Sequence, residues 1–370
     1  MWFHIKKFDW LLIGSVLTLC TMGILVLFGI DKGSEGSNFF NRQIIFLGLG
    51  ISVMFLVSFL DCRIFRNYSA IFLILYFLLL ALLVGVLFFG RNIRGTVGWF
   101  VVGGLRFEPV EFAKLVIILV LAKYFSGRHV EMFRIRHIIA SAIYVFVPIG
   151  LVLFQPDLGS AMILATVWLG TVILSGIKLR HLIIVLLCGA ALALLAWGLA
   201  LKPYQKERVL TFLNPTKDPL GYSYSLIQSK IAIGSGGIWG KGLGRGSQGQ
   251  LNFLPEKQTD FIFALLAEEW GLAGVLFMLA VFLLFFWRLT KIALACDNNF
   301  FRLFTAGFTL MIFAQTFINV GMDLGLMPIT GISLPFLSYG GSNLLVNFLA
   351  LGVILNIVTQ TKLRVTLERD

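Results

Sequence analysis

Carboxylates inside apolar sequence are the side chains most able to do chemistry in this chain. In LPEKQTDFIFALLAEEWG, Leu254 to Gly271, Asp260 stands where a polar loop turns apolar, and Glu268 and Glu269 follow inside the apolar run. A second group, Glu111 and Lys114, is three residues apart in FEPVEFAKL, so both share one helix face. A carboxylate can take a proton from a hydroxyl, and a lysine can steady a developing anion. Each group also has a plainer reading. Thr259 or Asp260 can cap a helix, and Glu111 with Lys114 can lock two helices together as an ion pair. Glu268 and Glu269 can be satisfied by neighbouring helices. At 1.5 Å per residue they lie roughly 12 to 14 Å along the helix from Asp260, which predicts Asp260 at the surface and the glutamates nearer mid-membrane.

Glycine-containing loops supply the other polar constellations. GSGGIWGKGLGRGSQGQ, Gly234 to Gln250, interleaves glycines with Lys241 and Arg245, a pattern that suits either a phosphate cradle or a flexible linker, without the P-loop spacing. PITGISLPFLSYGGSN, Pro328 to Asn343, has prolines and paired glycines that fix an irregular backbone, tolerated at membrane depth only when buried in protein or lining a cavity. In QPDLG, Gln155 to Gly159, Asp157 can cap the following helix. Cys20, Cys62, Cys188 and Cys296 have no metal-ligand spacing and predict no disulfide.

The elements that must position these groups are helices in lipid. The chain is 58% hydrophobic and 13% charged, against roughly 25% charged for soluble domains. Its mean hydropathy is +0.93. Apolar runs predict an all-α, polytopic integral membrane protein with about ten transmembrane helices. They fall near residues 10–28, 44–60, 70–89, 110–125, 138–154, 158–176, 182–201, 261–287, 303–322 and 344–358. The first is not a cleavable signal, because no small-residue cleavage site follows it. No internal repeat or soluble domain interrupts the runs, so residues 1–370 read as one membrane domain.

Lys and Arg crowd the segments that a cytoplasmic N-terminus places inside, including Lys6, Lys7, Arg63, Arg66, Arg134, Arg136, Arg288 and Lys291. The short outer loops hold Lys32, Arg42, Arg91, Arg94 and Arg106. The positive-inside bias therefore puts both termini in the cytoplasm and the long loop 202–259 outside, where its mixed aromatic and basic composition suits short helices at the interface. A disordered loop is the alternative. The net charge of +12 then reflects topology and attraction to anionic headgroups, not nucleic-acid binding, for which no module is present. His4, His129, His137 and His181 all fall on the inner side, which leaves outer-face proton transfer to a carboxylate, lysine or tyrosine. The residues alone stop at an outward-facing polar cavity, open to an enzyme acting on a lipid-borne phosphate or to a transporter.

Five segments then carry a resemblance: FEPVEFAKL from Phe107, FQPDLGSA from Phe154, YQKERVLTFLNPTKDPLGYSYSLIQSKIAIGSGGIWGKG from Tyr204, FLPEKQTDFIFALLAEEWG from Phe253, and PITGISLPFLSYGGSN. In this order they resemble the SEDS family (shape, elongation, division and sporulation proteins), membrane-embedded peptidoglycan glycosyltransferases. The resemblance covers essentially the whole chain. It implies ten transmembrane helices in the bacterial plasma (inner) membrane, with polymerisation of lipid II on the outer face during cell elongation and rod-shape maintenance. The implied partners are undecaprenyl-pyrophosphate-linked glycan, a class B penicillin-binding protein transpeptidase, other elongation-complex proteins and membrane lipid.

The family's essential aspartate maps onto Asp260, and its QPSE motif with the following lysine onto Glu108, Pro109, Val110, Glu111 and Lys114, after Trp99 and Arg106. Glu108 replaces the usual glutamine, Val110 the usual serine and Gln258 a common histidine, while Gly98 stands where an arginine commonly precedes the tryptophan. The implied reaction moves a glycan chain from its pyrophosphate carrier to the 4-hydroxyl of lipid II, with Asp260 as base. A positioned base contributes roughly a hundred- to ten-thousandfold. Arg106, Lys114, Arg208, Lys230 and Lys241 are candidates to bind the leaving pyrophosphate, as is a divalent cation such as magnesium or manganese. Trp99, Glu108 and Glu111 complete the expected substrate-binding set. A flippase for the same lipid is the alternative function, and a structural scaffold a third.

Overall fold

The computed structural model describes residues 7–33, 38–60, 69–93, 96–103, 105–127, 135–199, 203–214, 218, 221 and 223–367. Cys62, His4 and His129 fall outside them. The first seven long helices are α1 Trp10–Gly33, α2 Phe39–Phe59, α3 Ser69–Phe89, α4 Pro109–Ser126, α5 Ile135–Phe154, α6 Leu158–Leu174 and α7 Leu179–Leu199. Three shorter helices follow, α8 Pro203–Leu213, α9 Tyr224–Ser235 and α10 Ser247–Gln250. The chain ends with α11 Ile262–Leu294, α12 Asn299–Asp323 and α13 Gly341–Leu367.

A helix stands at each of the ten apolar runs. Seven of them, among the described residues, are long and apolar enough to cross a membrane: α1, α2, α3, α5, α11, α12 and α13. Of the others, α6 and α7 offer shorter apolar stretches, and α4 carries Glu111, Lys114 and Lys123. The chain is a multi-pass membrane protein. It is not purely helical, because the connection from α3 to α4 folds into a small antiparallel sheet, β1 Arg91–Ile93, β2 Thr96–Val102 and β3 Leu105–Phe107. In it Trp99 lies opposite Arg91, and Arg106 opposite Val101.

The bundle packs α13 on α2, α11 on α12 and α1, and α4 on α12 and α3. Its centre is aromatic, with Phe125, Phe282, Phe285, Phe304, Phe308, Phe336 and Phe348 fully buried. In lipid such helices are held by close packing and by hydrogen bonds between them. One of these contacts is a clasp at one end, where Arg288 of α11 pairs with Asp9, whose carboxylate also accepts from the Leu12 N–H at 3.1 Å.

That clasp sets the depth of α11, whose 33 residues run about 50 Å, well beyond the roughly 20 residues a crossing needs. Glu269 lies roughly 29 Å from Arg288 along α11, and Gly29 roughly 30 Å from Asp9 along α1. The two meet, since a Cβ built on Gly29 would lie 2.6 Å from Glu269 Oε1. Glu268 and Glu269 are therefore a full bilayer core away from the clasp, at the Asp260 end, and not near mid-membrane as residue counting from Asp260 predicts. Helix α11 also breaks there: Gly271 has φ 65° and ψ −165°.

Candidate active site

Asp260 belongs to a tight turn in which its N–H and that of Thr259 both donate to Glu256 O at 3.1 Å. The helix that follows begins with Phe261 at the N-cap and no side-chain cap. The capping position itself thus falls to Phe261, one residue beyond Asp260. An acceptor arrives instead from α12: Asp323 Oδ2 takes the Ala264 N–H at 3.1 Å.

The PITGISLPFLSYGGSN loop wraps this turn. Tyr339 N–H donates to Gln258 O at 2.8 Å, and Ser338 Oγ donates to Thr259 O at 2.6 Å. Asn319 Nδ2 of α12 bridges Asp260 O and Ile332 O at 2.7 and 2.8 Å. Each of the three backbone carbonyls from 258 to 260 thus has a fixed partner, which orients Asp260 without drawing on its carboxylate. That carboxylate faces Gly331, where a Cβ would lie 3.6 Å from Oδ2 and where φ is +74°. Glycine suits both the conformation and the close approach.

The same loop reaches the second charged group. Lys114 Nζ lies 2.6 Å from Glu111 Oε1, and both side chains are buried. Asn343 Nδ2 donates to Glu111 Oε2 at 2.9 Å, and Asn347 holds Asn343 from one turn on. Ser342 Oγ accepts the Glu108 N–H at 3.1 Å and donates to Arg106 O at 3.4 Å. At its other end the loop crosses the start of α6, where Gly159 lies against Thr330 and Ile332. Asp157 caps that helix through the Ser160 N–H at 2.9 Å, as its position predicts. One loop therefore touches Asp260, the α6 N-terminus and the Glu111–Lys114 pair.

Glu108 lies just before α4 in extended backbone and is half-buried. Burial, with the carboxylates of Glu111 and Asp157 nearby, pushes its pKa from 4.5 up to about 8, against the opposing effects of Lys114 and a Trp99 hydrogen bond. With that pKa the carboxyl is mostly protonated at neutral pH.

The remaining cations divide. Arg106 is exposed on β3. Arg208 lines a shallow hollow with Thr211, Phe212, Leu226 and Met327 to Ile329, at the start of the loop that reaches Asp260. Lys230 packs on Gly325 beside that hollow, its Cε 2.2 Å from a Cβ built there. Lys241 is held elsewhere: its Nζ is 2.7 Å from Glu268 Oε1, which also accepts from Ser247 Oγ at 3.1 Å and the Gln248 N–H at 3.2 Å.

The glycine loop is neither cradle nor free linker. Its Lys241 and Gly242 N–H groups donate to Glu268 O and Glu269 O, at 3.0 and 2.9 Å. Gly244 N–H donates to Glu269 Oε1 at 3.0 Å. Beyond the break, Leu272 and Ala273 N–H donate back to Gly237 O and Ile238 O. Glu268 and Glu269, the two carboxylates of α11, thus clasp this loop to the helix. Among the described residues no group of three or more His, Cys, Asp or Glu gathers to hold a metal ion.

Sequence reasoning passed over Asn319, Asp323, Ser338, Ser342 and Asn343. A signal existed for the first two: in FINVGMD they are four apart, on one helix face, and the only polar side chains of that stretch.

Comparison with known proteins follows this geometry. A family model described as FTSW_RODA_SPOVE, cell cycle protein, matches residues 9–363. The peptidoglycan glycosyltransferase MrdB of Escherichia coli is 37% identical over 348 residues, covering 94% of this chain and 92% of its own. The peptidoglycan glycosyltransferase RodA of Treponema pallidum is 32% identical, covering 95% and 98%. Among solved structures, a chain from a peptidoglycan synthase complex that coordinates polymerization and crosslinking superposes with a TM-score of 0.81 at 36% identity, covering 96% and 98%. The rod shape determining protein RodA of Thermus thermophilus gives 0.70 at 33% identity, covering 95% and 96%. With a family model spanning nearly its whole length and the same fold in its relatives, the chain belongs to the FtsW/RodA/SpoVE family, the SEDS proteins.

Proposed function

We infer that this chain is a peptidoglycan glycosyltransferase of the rod-shape type that polymerises lipid II at the outer membrane surface. The observation that carries the reading is the Asp260 carboxylate, set at the outer end of α11 by a framework that holds its backbone. Asp260 takes the proton of the lipid II 4-hydroxyl as that oxygen attacks the anomeric carbon of the growing chain, with inversion. The bond to undecaprenyl pyrophosphate breaks, and Arg106, Lys114, Arg208 and Lys230 offset the charge that leaves. Glu108, neutral at pH 7, adds no repulsion toward that phosphate. Lys241 serves the loop clasp that shapes the outer rim.

Both termini are cytoplasmic in this reading, and loop 202–259 is extracytoplasmic. A class B penicillin-binding protein crosslinks the product, supported by the relative whose complex couples polymerization to crosslinking. Proteoliposomes given labelled lipid II, with the partner's transpeptidase site inactivated, test the assignment. Glycan polymer is expected; scrambling of label across the bilayer without polymer makes the chain a transporter instead.

A further inference from the structure

The reading above leaves Asp323 unused, and it is the most unusual polar group in the bundle. It ends α12 wholly buried. Its Oδ2 accepts from Ala264, one of the first-turn donors that a helix start leaves orphaned. Phe261, the N-cap residue of α11, has no side chain able to take such a bond. Ser229 Oγ of α9 donates to the Asp323 carbonyl at 2.9 Å, tying the IQSKIAIG helix to the same point. One turn back, Asn319 holds Asp260 O and Ile332 O. Asp323 and Asn319 thus grip both sides of the α11 start, four residues from one another in sequence and bracketing the base. Asp323 Oδ1 and Asn319 Oδ1 have no hydrogen-bond partner among the described residues, so neither side chain has a competing engagement at that atom.

We propose that Asp323 is a positioning residue for Asp260, a helix cap supplied from another helix that fixes where α11 begins and so where the Asp260 carboxylate points. It does not touch substrate. Its effect belongs to the chemical step, because a misplacement of about 1 Å at a reacting group can cost on the order of a hundredfold in rate. The proposal rests on Asp260 being the base.

Two substitutions separate positioning from plain stability. Asp323→Asn keeps the size and an oxygen for the Ala264 N–H. Asp323→Leu keeps the branched shape, with somewhat more bulk, and removes the acceptor. In proteoliposomes with lipid II, Asp323→Asn should polymerise at the parent's rate. Asp323→Leu should lose kcat by about a hundredfold with KM unchanged, on protein that elutes like the parent and melts only slightly lower, as loss of one cap requires. If leucine does not fold, Asp323→Ser, too short to reach Ala264, serves in its place with the same expected loss. A leucine or serine variant with parent kcat overturns the proposal. So does an asparagine variant as slow as leucine, since that makes the charge, and not the cap, responsible. A parent protein that makes no polymer at all tests the glycosyltransferase reading instead.

Discussion

Glu108 is the side chain whose charge depends most visibly on its surroundings. Its folded pKa of about 8 exceeds the ordinary 4.5, so between those values the folded chain holds a proton that the unfolded chain has lost. Stability therefore falls as pH rises across that window and levels off above it. Glu108→Gln removes the effect. Its melting temperature in detergent should match the parent's near pH 5 and exceed it increasingly toward pH 8 to 9, with polymerisation at pH 7 unchanged. Equal pH profiles for the two proteins would show that Glu108 ionises normally. Sequence alone showed the replacement but not its protonation state, which depends on Asp157 and Glu111 arriving from other elements. Asp260 and the Glu111–Lys114 pair were legible because charge is rare and costly in apolar sequence. Asn343 and Ser342 were not, because GGSN reads as a turn until α4 is placed beside it.

Helix α11 is where the elements depart furthest from a linear reading. LAEEWGLAG reads as one continuous apolar helix with two buried acids. The break at Gly271 arises from a loop some thirty residues earlier whose carbonyls replace the helix's own. A Cβ at Gly271 would lie 2.3 Å from Gly240 N and 2.5 Å from Ile238 O, in a conformation that side chains rarely adopt. Gly271→Ala should therefore cost more than the about 1 to 3 kcal/mol of backbone strain alone, read as a lower melting temperature and faster proteolysis within 236–250. Lys241→Met should loosen the same loop, because Glu268 keeps only Ser247 and the Gln248 N–H while fully buried, at a cost of about 1 to 3 kcal/mol. A loop as protease-resistant as the parent's in both variants would contradict the clasp. The ten apolar runs each became a helix, since length and hydropathy suffice for that. The hairpin of β1 to β3 escaped notice because its strands are short and interrupted by glycines.

At the scale of the whole molecule, the charged groups gather at one end of a bundle whose other end is closed by the Asp9–Arg288 clasp. In the proposed topology that gathered end faces outward. Ser247→Cys, exposed on α10, should react with a membrane-impermeant thiol reagent in intact cells, in a background lacking the native cysteines. Labelling only after the cells are broken would invert the topology. The central claim is that Asp260 removes the proton from the acceptor hydroxyl, and Asp260→Asn tests it most directly. The substitution preserves size, the backbone bond to Asn319 and a side-chain oxygen able to accept from the helix start, and the Ala264 N–H keeps its acceptor in Asp323. Polymerisation of labelled lipid II is to be measured for parent and variant, each reconstituted with its transpeptidase partner. The account predicts a variant that melts and assembles like the parent and makes no glycan polymer; polymer at near the parent's rate would contradict it.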